Sequence, residues 1–101
     1  MSPISVRAAA ADPNEYYLSG QLVYDNAQAS LKVGARLFEK GEQLTLDFTD
    51  VARVDTAGVA VLLAWTRLSK KNNQSLSIRS LPKQALALIE NSGLSGLMPL
   101  V

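Results

Sequence analysis

Hydrophobic and polar positions follow two different periods along this chain, and the switches between them mark its elements. Residues 4–9 and 15–24 read as short strands, with Tyr16, Leu18 and Leu22 roughly alternating and Asp12-Pro13-Asn14 as the turn of a hairpin. From a cap at Asp25 or Asn26, the residues Ala27, Leu31, Ala35 and Phe38 recur at helical spacing, and Gly41 is placed just past the helix end. Leu44, Leu46 and Phe48 then alternate with Thr45, Asp47 and Thr49, which is strand periodicity.

The most apolar run follows. It predicts a helix from about Thr56 to Lys71, with Lys70 and Lys71 complementing the negative end of its dipole and Asn72-Asn73 stopping it. Ser75 to Ser80, with Leu76 and Ile78 on one side, predicts another strand. Pro82 suits the first turn of a third helix carrying Leu86 and Ile89 on one face, and Gly93 with Leu94 suits its glycine-capped end. The tail SGLMPLV carries no readable pattern. The order β-β-α-β-α-β-α predicts an α/β fold in one domain, with a mixed, mostly parallel sheet of about four to five strands and helices packed on it.

Composition narrows the function more than the fold. The chain has 101 residues, 48% hydrophobic and 19% charged, and a net charge of +1, so bulk electrostatics give no reason to expect nucleic-acid binding. It contains neither cysteine nor histidine, which removes thiol nucleophiles, disulfides, the usual zinc ligands and the commonest general base. No nucleophile and base pair is visible, so the expectation is a protein that is not an enzyme and needs no cofactor or metal. The apolar segment from Ala57 to Trp65 is far short of the ~20 residues of a membrane span, so no direct membrane insertion is expected. In MSPISVRAAAAD, Arg7 follows the start of any apolar stretch and the alanines after it are too few for a signal-peptide core, so a cytoplasmic location is expected.

The junction Val54-Asp55-Thr56-Ala57-Gly58 raises the sharpest local question. Asp55 is a good helix N-cap, and Val54 can staple onto Val59. Gly58 is harder to absorb, because glycine costs about 1 kcal/mol relative to alanine within a helix. Something must approach that backbone closely: a neighbouring strand, a partner protein, or an anion at the helix N-terminus. A hydroxyl there, Thr56, could also carry a phosphate.

The run LTLDFTDVARVDTAGVAVLLAWTRLSKK resembles the signature of STAS domains, in which an acidic residue, one or two hydroxyl residues and a glycine open the second helix. The similarity extends from the hairpin through the third helix, and the Asp-Thr-x-Gly junction is its most specific part. The branch most similar is that of the small STAS subunits of phospholipid ABC transporters, where the junction reads Asp-Thr-small-Gly before an aliphatic helix ending in two lysines. That resemblance implies a non-catalytic cytoplasmic subunit, peripheral at the inner membrane. It would bind and regulate or stabilise the transporter's ATPase subunit and, through it, meet the permease. The alternative is an anti-sigma-factor antagonist regulated by phosphorylation, with Thr56 as the candidate site. In antagonists of that kind the modified serine stands immediately before the glycine, and here that position is Ala57. The family's acidic position after the second strand is also altered, since Gly20-Gln21-Leu22 is followed by Val23.

On the second helix, Val59, Leu62, Leu63 and Thr66 form one stripe, and Val61, Trp65 and Leu68 another. A helix lying on a sheet needs only one. Val61 is open to either explanation, a neighbouring helix or a partner. Switch-type STAS relatives tend to carry polar residues at the places of Trp65 and Leu68, so these two are expected to belong to a partner-covered surface, with Trp65 as its anchor. The expected partner-binding set is therefore Thr56, Ala57, Gly58, Val61, Trp65 and Leu68, with Asp55 as the cap. Asp47, Asp50 and Asp55 are read as a strand end, a turn and a cap, ahead of any carboxylate cluster for metal or acid-base work. Arg67, Lys70 and Lys71 are read as a solvated basic end, and Tyr16-Tyr17 as hairpin packing.

Overall fold

The computed structural model describes residues 1–39 and 43–101, so the expected helix stop at Gly41 lies outside the described residues. Strands β1 (Ser5–Ala8), β2 (Glu15–Leu22), β3 (Gln43–Val54) and β4 (Ser75–Arg79) form one four-stranded sheet in the order β1-β2-β3-β4. The hairpin pair β1/β2 is antiparallel, and β2/β3 and β3/β4 are parallel. Helices α1 (Ala27–Ala35) and α2 (Thr56–Lys71) make the crossovers, and α3 (Lys83–Asn91) follows β4. This is the mixed, mostly parallel α/β sheet expected from the periodicity.

Three details depart from the sequence reading, each because of a long-range contact. The segment 23–26 is not strand: Tyr24–Asn26 forms a short 3-10 turn, and Asn26 holds the N-cap position of α1, as expected, but without a side-chain cap bond to the helix. The buried Asn26 side chain accepts from the Val23 amide at 2.9 Å and donates to the carbonyls of Gln21 at 2.8 Å and Ser2 at 2.9 Å. Strand β3 also runs on to Val54, past the point where period two fails, because it stays paired with β2 through Gln21↔Arg53 and Leu22↔Val54 across register shifts. The tail, finally, returns to the outer edge of β4. Ile78 donates to the Pro99 carbonyl at 2.9 Å and accepts from the Val101 amide at 3.0 Å, with Leu100 bridging Ile78 in parallel.

Alternation along the strands assigns the two faces of the sheet. Leu18, Leu44, Leu46, Phe48 and Ile78 join a hydrophobic cluster that also takes Val59, Leu62 and Trp65 from α2 and Ala85 and Ile89 from α3. Positions of opposite parity carry a polar network instead. Arg79 donates from Nε to Asp47 Oδ2 at 2.9 Å and is also ion-paired with Glu15, so one guanidinium ties β2, β3 and β4 together. Asp47 Oδ1 accepts from the Thr49 amide at 2.8 Å and hydroxyl at 2.6 Å, while Arg7 stacks over the Tyr17 ring at 4.9 Å from its centroid. Burial pushes the Asp47 carboxyl up, but the Thr49 donors and the Arg79 guanidinium outweigh it and hold the group below the ordinary carboxylate range. Among the described residues no cluster of three or more acidic side chains could hold a metal ion, and no helix is long and apolar enough to cross a membrane.

Candidate functional site

The start of α2 is built by one carboxylate. Asp55 lies in an extended conformation before the helix, and its Oδ1 accepts from the Gly58 amide at 2.9 Å. Its Oδ2 accepts from the Tyr24 amide at 3.0 Å, and its own amide donates to the Leu22 carbonyl at 3.3 Å. Val54 and Val59 are both buried in the core, where a hydrophobic staple would put them.

Burial pushes the Asp55 carboxyl up. The amides of Gly58, Tyr24 and Ala57 and the nearby Arg53 cation more than offset this, leaving the group below the ordinary carboxylate range. A depressed folded value means that this contribution to stability is complete above the unfolded value of about 3.9 and is lost as pH falls through the folded one. Asp55→Asn keeps an oxygen that can cap but removes the titration. Urea unfolding at neutral pH and near pH 3 should therefore show its deficit relative to wild type shrinking in acid; a deficit constant with pH would contradict this role.

Gly58 is buried, and the close approach comes from within the chain. A Cβ there would overlap the Leu22 carbonyl oxygen and lie 2.8 Å from Val54 Cγ1. The end of β2 therefore explains the glycine, and no partner or anion is needed to account for it.

The second apolar stripe of α2 is largely covered by α1, which runs beside it in the same direction: Tyr24 meets Asp55, Leu31 meets Trp65, and Phe38 accepts from Asn72 Nδ2 at 2.9 Å. Trp65 is 0% exposed, and its Nε1 donates to the Leu31 carbonyl at 3.2 Å. The ring lies so close to Gly34 that a Cβ on that residue would sit within it. The expectation of Trp65 as an exposed anchor is thus corrected: a tryptophan fits here because α1 offers a glycine beneath the ring and a carbonyl for the indole. Val61 is buried in the same seam and Leu68 is half-buried.

Of the expected set, Thr56 is exposed and Ala57 half-buried. Ala57, Ala60, Val61 and Ala64 form one wall of an open groove whose other wall includes Ala27 and Leu31 of α1. Tyr24 stands at its mouth, 80% exposed, and Lys32 and Asp25 also line it. Ala60, Ala64 and Tyr24 line the groove and lie outside the expected set. The spacing of Ala57, Ala60 and Ala64 puts them on one helix face and was a usable signal, but the opposing wall needs α1 in place.

The chain shares its fold with the anti-sigma-factor antagonist SpoIIAA in its unphosphorylated form: the TM-score is 0.69 over 96% of this chain and 88% of that one, at 13% sequence identity. No curated protein matches the sequence significantly. The family model described as MlaB, STAS domain, matches residues 9–101, and the chain belongs to that family of STAS domains.

Proposed function

We propose that this chain is a non-catalytic regulatory subunit that docks through the α1–α2 groove on the ATPase subunit of a phospholipid ABC transporter, and through it sits peripherally at the inner-membrane permease. The observation that carries this reading is the match of residues 9–101 to the MlaB-type model. The junction supports it, because Ala57 occupies the place at which kinase-switched antagonists keep a serine. The groove suits docking: its wall on α2 is made of small side chains, Tyr24 supplies a polar group at the mouth, and exposed Thr56 adjoins Ala57 in the chain. A subunit that binds one state of the ATPase better than another shifts the population toward that state, which is all that regulation requires.

Thr56→Arg and Ala60→Arg place a long charged side chain at exposed positions beside the groove. Both variants are expected to lose co-purification with the ATPase while keeping the wild-type circular dichroism spectrum. Normal co-purification of both would remove the groove from consideration. Stoichiometric phosphate on Thr56 in protein from growing cells, removed under stress, would favour the antagonist function instead.

A further inference from the structure

The groove continues into a band of positive charge. On α2 the face of Ala57, Ala60 and Ala64 runs on by helical spacing to Arg67, Leu68 and Lys71. On the opposite wall Lys32 lines the groove, and Arg36 follows it by four residues at the end of α1. All four cations are exposed. Among the described residues the ion pairs belong to Arg79, and none of these four cations has an ion-pair partner there. Asp25 lines the other end, at the mouth, which makes the groove electrically polarised along its length.

We infer that the occupant of this groove is an amphipathic helix of a protein partner, with small apolar residues against the alanines and carboxylates reaching Lys32, Arg36, Arg67 and Lys71. The inference rests on the groove being the docking face. Alanine on the floor lets a helix axis approach to about 8 Å, the near end of the usual range. Charge at the rim then sets the direction in which the helix lies, because unlike charges are brought together at one end and like charges would meet if it were reversed. A bilayer fits less well: the apolar surface is concave, Tyr24 is the large exposed side chain at it, and the net charge is only +1.

The test measures affinity of the full chain for the purified ATPase subunit of the same organism's phospholipid transporter, with vesicles of phosphatidylglycerol and phosphatidylcholine in parallel. The wild-type circular dichroism spectrum and a cooperative urea transition serve as the fold control: the substituted positions are exposed, and losing Lys71 from the last turn of α2 lowers the midpoint only slightly. The double variant Arg67→Glu with Lys71→Glu is expected to weaken ATPase binding by roughly tenfold at low salt, with the gap narrowing as salt rises, while Ala60→Arg abolishes binding. If Ala60→Arg abolishes binding and the charge reversal leaves it unchanged, the groove docks a partner but the acidic helix is wrong. If neither matters, the docking face itself is wrong and the inference falls with it. Loss confined to phosphatidylglycerol vesicles would overturn the inference in favour of a lipid surface.

Discussion

Trp65→Ala is expected to remove about 3–5 kcal/mol of stability, the usual cost of truncating a fully buried aromatic. Three losses act together. The ring's apolar surface is no longer buried, the Leu31 carbonyl loses its indole donor, and a cavity opens over Gly34 that the α1 backbone can close only in part. Domains of this size have total stabilities of about 5–15 kcal/mol, so the variant sits close to unfolding. Urea titration followed by circular dichroism measures it, and a midpoint within error of wild type would show that the ring is not part of the core. Trp65→Phe should cost less, since it keeps much of the packing and loses the hydrogen bond. Because truncating Trp65 disturbs the fold, a loss of partner binding in that variant says nothing about docking; Thr56 and Ala60 are the positions that test it.

Gly58→Ala sets two effects of opposite sign against each other. Helix propensity alone favours alanine by about 1 kcal/mol in a helix interior. Packing opposes it, because the added methyl would meet the Leu22 carbonyl, a backbone group already held by the Asp55 amide, along with Val54 in the core. Overpacking typically costs about 1–3 kcal/mol and more where the neighbour cannot rotate away. Because the neighbour here is backbone, the packing cost lies at or above the top of that range and outweighs the propensity gain, giving a net loss of about 2 kcal/mol in urea unfolding. A stabilised variant would mean that β2 and α2 can separate at this point without cost.

Both positions show what a sequence can carry. The limits of α2 and the Asp55 cap were legible because their chemistry is local: a carboxylate, a free amide three residues on, and an apolar run with lysines at its end. The strands with clear period two were legible for the same reason. The reason for Gly58 was only partly legible: the need for a close neighbour could be inferred, but its identity as the end of β2 depends on a contact between residues more than thirty positions apart in the chain. Trp65 was misplaced because an apolar stripe looks the same whether a helix of the same chain or a partner covers it. Deciding between them required Gly34, whose meaning lies in α1 being parallel to α2. The tail was unreadable because its pairing with β4 depends on an edge that exists only after the sheet has formed.

The double duty of the Asp55 carboxylate has a consequence for recognition. By holding the Tyr24 amide with one oxygen and the Gly58 amide with the other, it gives both jaws of the cleft a common hinge-free origin. The Trp65 indole on the Leu31 carbonyl and the Asn72 amide on the Phe38 carbonyl fasten them again further along. The width of the cleft is thus set before any partner arrives. A helix docking as proposed would then carry the ordering cost of association itself, against a preformed mould.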